Sequence, residues 1–160
     1  MRRLARALTI VTMVALTIII ILLVGTNLRA SVAGADVQAA TADPAAFDTI
    51  AGAILSGDMG SDQFKKVSEP DPVRYELVTY RVNVKNPGLL KADWVRLRLT
   101  PTADDVALLA TSADVGSFGT AEVTAVLLTA AGSDAKREVW IEYYVLGSRM
   151  SQAAPWSENG

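Results

Sequence analysis

Hydrophobic positions follow three different spacings along the chain. Ala7 to Val24 is an almost wholly apolar run without a charge. As a helix rising about 1.5 Å per residue it is just long enough to cross a bilayer core of about 30 Å. Over Asp43 to Gly57 the pattern becomes helical. Phe47, Ile50, Ile54 and Leu55 share one face, Asp43 suits the N-cap, Pro44 the first turn, and Gly57 the end. From Ser61 onward the pattern alternates, as half-buried strands require.

Three strands read clearly from that alternation. Val78, Tyr80, Val82 and Val84 alternate with Thr79, Arg81, Asn83 and Lys85, and Asn86-Pro-Gly88 follows as a turn in which glycine is free to take positive φ. Val95, Leu97 and Leu99 alternate with Trp94, Arg96 and Arg98 until Pro101. Val139, Ile141, Tyr143 and Val145 alternate with Glu138, Trp140, Glu142 and Tyr144, and Gly147 closes the run. Glu122 to Ala130 is a fourth strand, with Val123, Ala125 and Leu127 inward, whereas Asp104 to Ala110 is too short to type by period. The sum is a mainly β chain, an antiparallel immunoglobulin-like sandwich behind an N-terminal transmembrane helix and a short helix. The expected layout is a cytoplasmic N-terminus at 1–6, a transmembrane helix at 7–26, a stalk at 27–60 carrying a helix at 44–56, the sandwich at 61–150, and a loose tail at 151–160.

The stretches YRVNVKNPGLLKADWVRLRLTP, DVGSFGTAEVTAVLLT and REVWIEYYVLG carry a family likeness. They resemble the small bacterial immunoglobulin-like or fibronectin-like surface modules of the CARDB type. The likeness runs from about Pro72 to Gly147, and the turn at Ser117-Phe-Gly-Thr120 departs from the Pro-Gly usual there. It implies an adhesive, scaffolding or presentation role and transfers no catalytic residue.

Charge adds orientation. Arg2, Arg3 and Arg6 precede the apolar run and only Arg29 follows it closely, so the N-terminus is expected to stay cytoplasmic with the C-terminal part outside the membrane. A cleaved signal peptide has the same polarity, but its apolar core is shorter, and the small residues that would allow cleavage, around Val32 to Ala39, lie well past the run. Without those four arginines, 11 basic residues face 17 acidic ones, which argues against nucleic acid as a partner. The expected partners are the membrane and a protein, with self-association as one form of the latter. A pilin-like filament subunit and a secreted binding protein are the alternatives.

Cysteine and histidine are both absent, which removes disulfides, thiolate nucleophiles, Cys or His zinc sites and the usual neutral-pH base. An enzyme is therefore not expected, and no cofactor. Ser61-Asp-Gln-Phe-Lys65 places its lysine one residue too late for a Ser-x-x-Lys pair, and Glu138 and Glu142 read as a solvated strand face. Asp58, Asp62, Asp104, Asp105 and Asp114 form no calcium-loop pattern and read as turn formers. One constellation stands out as a binding surface: Trp94, Arg96 and Arg98 on one strand with Trp140 and Tyr144 on another, all opposite the aliphatic core. The competing expectation is that the Phe47–Leu55 helix or the tail around Trp156 covers this face.

Overall fold

The computed structural model describes residues 2–24, 27–39, 42–57, 61–67 and 70–157. Two helices and nine strands follow one another as α1 (Arg2–Val24), β1 (Arg29–Ala39), α2 (Pro44–Ser56), β2 (Asp62–Gln63), β3 (Tyr75–Lys85), β4 (Ala92–Leu99), β5 (Asp105–Ala110), β6 (Ser112–Val115), β7 (Thr120–Ala130), β8 (Val139–Val145) and β9 (Ser148–Ala154). The strands form two antiparallel sheets. One has five strands in the order β1-β3-β7-β5-β2, the other four in the order β6-β4-β8-β9.

Alternation decides what lies between the sheets. Val78, Tyr80, Val82 and Val84 of β3 meet Val95, Leu97 and Leu99 of β4, Val123, Ala125 and Leu127 of β7, and Val139, Ile141 and Tyr143 of β8 in one buried cluster. The outer face of the five-stranded sheet is covered separately by α2. Phe47, Ala51 and Ile54 pack on Leu77, Val106, Ala107 and Leu128, so β5 is buried on both faces and shows no period in its sequence. The ends of α2 are those the sequence predicts. The Asp43 carboxylate accepts a hydrogen bond from the Ala46 amide at 3.1 Å, and Gly57 stops the helix at φ +71°.

Four expectations change. Arg29–Ala39, inside the expected stalk, is an edge strand that pairs with β3 from Arg29↔Lys85 to Ala39↔Glu76. Its small side chains hide the alternation, and pairing with β3 supplies what propensity does not. Ser148–Ala154, partly inside the expected loose tail, pairs with β8 along its whole length. Beyond it, Val32 donates to the Pro155 carbonyl at 2.9 Å and Ser157 to that of Val32 at 3.0 Å, so the last described residues clasp the first strand. The turn after β3 is held by the Asn86 side chain, not by a left-handed glycine. Gly88 is absent from the glycines with positive φ among the described residues, and its amide donates to Asn86 Oδ1 at 2.9 Å.

The fourth concerns α1. The apolar run is helical, but among the described residues no helix is long and apolar enough to cross a membrane. The described apolar side chains of α1, from Leu8 to Ile20, cover about 20 Å of helix at about 1.5 Å per residue. Gly25 and Thr26, at the expected outer end of the span, lie outside the described residues, as do Met1, Ser68, Glu69 and 158–160.

Candidate functional site

The outer face of the four-stranded sheet is where side-chain chemistry collects. Its central feature is a bulge in β4: the step from Asp93 to Arg96 is matched by the shorter step from Tyr144 to Glu142 on β8. Trp94 sits in the extra position at φ +52°, a conformation that costs a bulky L-residue about 1 kcal/mol. Its amide donates to Asp114 Oδ1 at 2.9 Å, which holds the bulge against β6. The indole is 42% exposed. Its ring centroid lies 5.8 Å from that of Tyr144, and the Arg96 guanidinium stands 4.5 Å over its face.

Lys91 ties the same corner down, with Nζ 2.8 Å from Asp114 and 2.7 Å from Asp93. The Asp114 carboxyl is held below the usual carboxylate range, first by the hydrogen bond from Lys91 and then by the Trp94 amide. A carboxyl whose pKa is lowered on folding contributes above its unfolded pKa and loses that contribution as pH falls through its folded value. Acidification below the usual carboxylate range is therefore expected to loosen the bulge. The Trp94 amide resonance should titrate there, and D114N should abolish the titration.

A second group adjoins the stack. The Glu142 carboxylate, only 2% exposed, takes Arg149 Nε at 2.6 Å, with Arg98 at 3.6 Å and Arg96 at 3.8 Å. Three guanidinium groups thus surround one carboxylate, and the patch carries an excess of positive charge. Pairing is incomplete: Glu142 Oε2 and Arg96 Nε are buried without a hydrogen-bond partner. An open groove of about 450 Å³ runs beside Arg96, Arg98 and Arg149, and another of about 310 Å³ lies between Arg98 and Trp140.

All five residues singled out from the sequence share this face. Trp94, Arg96 and Tyr144 stack, and Arg98 lies directly across from Trp140. Among the described residues, neither the helix nor Trp156, the two expected covers, lies on this face. Helix α2 packs on the other sheet, and Trp156 lies edge-on to the buried Tyr80 with its indole donating to the Arg137 carbonyl at 2.7 Å. Glu142 corrects the reading of a solvated strand face, because the arginines that bury it come from β4 and β9. Arg149 was missed, and only the turn signal at Gly147 pointed to a strand that would carry it.

Other chemistry stays dispersed. Among the described residues no three acidic side chains come together to hold a metal, and Asp58 lies outside them. Asp105 is committed to Arg137, 2.6 Å away. Ser133-Asp-Ala-Lys136 does have the Ser-x-x-Lys spacing. Ser133 Oγ, however, bonds Thr129 and Arg137 on a loop, and Lys136 is exposed. Compared with family models, with curated proteins and with solved structures, the chain finds no match in any of the three.

Proposed function

We propose that this chain is a single-pass membrane protein whose extracytoplasmic, immunoglobulin-like sandwich binds a protein partner through the outer face of its four-stranded sheet. The observation that carries the binding reading is the Trp94 stack. An exposed indole held at positive φ on a bulge, beside an incompletely paired arginine cluster, is a costly arrangement for a strand face with no task. Aromatic and arginine side chains are the groups on which protein contacts concentrate their energy. The role is binding or scaffolding at the cell envelope.

Support for the anchor comes from α1. Its described side chains from Leu8 to Ile20 include nine large apolar residues that are each at least half exposed. A helix apolar all round is at home in lipid, not in water. The hydroxyls of Thr12 and Thr17 bond the carbonyls of Leu8 and Met13 within the helix, which suits them to lipid. The apolar sequence continues to Val24, and as helix the uncharged run from Ala7 to Val24 would measure about 27 Å. Cleavage around Val32 to Ala39 would cut into β1 and its buried Val32, which favours an uncleaved segment.

Two measurements test the reading. Full-length mass and retention in membranes after alkaline extraction are expected, whereas a shortened, freely released chain overturns the anchor in favour of a secreted binder. For the binding face, a photo-crosslinker at Trp140 in native membranes should capture a partner that one at Asn83, on the other sheet, does not. W94A or R98E should abolish the adduct, and an adduct of twice the chain mass identifies self-association. Equal capture from both positions, or none, overturns the binding face.

A further inference from the structure

The two ends of the sandwich differ in character. One end is where the chain arrives from α1: Leu28 is already buried in the core, four residues after α1 ends at Val24, and β1 starts at Arg29. Register places three connections at that same end. Arg29 pairs with Lys85 and Lys85 with Thr120, so the β3–β4 and β6–β7 turns lie there. Asp93 pairs with Tyr144, which brings the β8–β9 hairpin to the same end.

Each of these connections presents one large apolar side chain to solvent. Leu89 is 62% exposed, Phe118 64% and Leu146 76%. Phe118 and Leu146 hold positive φ, at +57° and +50°, where Asn or Gly is the ordinary occupant. The tips are also fixed. Phe118 donates to the Gly88 carbonyl at 3.2 Å and Ser117 Oγ to that of Leu89, while Asn86 joins the two turns from below. Arg29 and Lys85 flank them, exposed and without an ion-pair partner among the described residues. At the opposite end the connections are built on Thr102, Asp104, Asp134 and Lys136, and Val73 is the large apolar loop residue exposed there.

We infer that Leu89, Phe118 and Leu146 form a tripod that seats this end of the domain in the interfacial layer of the phospholipid bilayer entered by α1. The inference rests on the anchor reading, which supplies the occupant. Four residues of extended chain reach at most about 14 Å, so α1 keeps these tips within reach of the headgroups. The headgroup and acyl boundary is the layer in which interfacial helices bury their apolar side chains, about 5–10 Å deep, and it offers the same environment to these tips. Arg29 and Lys85 then lie level with lipid phosphates. The domain becomes oriented with the strands rising from the membrane and the far end about 35 Å away, the length of β3.

The absence of cysteine allows a clean test in the full-length protein. Single cysteines replacing Leu89, Phe118, Leu146 or, at the far end, Ala103 would carry a bimane label. The protein would be reconstituted in vesicles of phosphatidylcholine and phosphatidylglycerol doped with a headgroup-nitroxide lipid. Loss of more than about half the emission at the three tips, with less than about a tenth lost at Ala103, is the expected result for tips at interfacial depth. In a second measurement, L89D with F118D should relieve the quenching of a label at 146. Tips unquenched in protein that floats with the vesicles overturn the tripod and leave the anchor standing. Protein that does not float with the vesicles overturns both.

Discussion

Replacing Asp105 by alanine is expected to lower unfolding stability by about 3–5 kcal/mol, the cost of leaving a buried charge without its partner. Asp105 is 2% exposed, and its Oδ2 accepts from Arg137 Nη1 at 2.6 Å and from the Thr102 amide at 2.7 Å. Its Oδ1 accepts from Thr129 Oγ1 at 2.9 Å. Arg137 is equally committed, donating to the Asp134 carbonyl and to Thr102 Oγ1. Asp105 opens β5 in one sheet and Arg137 lies just before β8 in the other, so the pair ties the sheets together at the far end. The midpoint of urea unfolding measures the loss. A variant with D105L and R137M removes both charges and should recover most of it, because a buried pair owes much of its apparent worth to the cost of orphaning one member. A D105A loss below about 1 kcal/mol would show that the pair is not the tie described.

Replacing Asn86 by alanine is expected to cost about 2–3 kcal/mol, from several buried hydrogen bonds lost together. The side chain is fully buried. Its Nδ2 donates to the carbonyls of Leu90 at 2.7 Å, Gly116 at 3.0 Å and Val115 at 3.2 Å, while Oδ1 accepts from the Gly88 amide. One side chain thus joins the β3–β4 turn to the β6–β7 turn. Asn86→Asp should be worse than alanine, since it sets a carboxylate against three carbonyl oxygens. Thermal unfolding gives the size of the effect and amide exchange its place. The Phe118 amide should lose protection in N86A well before the amides of β7 do. Equal loss across the domain would instead mean that Asn86 supports the whole core.

Much of this arrangement is legible in the alternation of β3, β4, β7 and β8, because each has one face on the core and one outside it. Helix α2 is legible for another reason: Asp43, Pro44 and Gly57 mark its ends chemically. Strand β1 is hidden because Arg-Ala-Ser-Val-Ala-Gly-Ala contains few residues that favour a strand alone, and β9 because its inward positions, Met150, Gln152 and Ala154, include one polar and one small side chain. Strand β5 is hidden by having no solvent face. The candidate site divides in the same way. That Trp94, Arg96, Arg98, Trp140 and Tyr144 share a face follows from a period of two once β4 and β8 are neighbours. The bulge that turns Trp94 outward at positive φ has no glycine to announce it. The burial of Glu142 depends on Arg149, which comes from a strand the sequence conceals.

The clasp between Val32 and the segment Pro155–Ser157 governs when the fold can close. The Gln152 side chain also donates to the Leu28 carbonyl across a separation of 124 residues. A chain delivered from its N-terminus exposes β1 first, then β3, which pairs with one side of it. The final lock must wait for the last strand to emerge. Strands β3 and β7 can assemble while synthesis continues, but β1 keeps its partner at Trp156 only after the whole domain is out. Closure is therefore a late event, slowed by the chain entropy of so distant a contact. During that interval the edge of β1 beyond β3 is open to pairing with another chain.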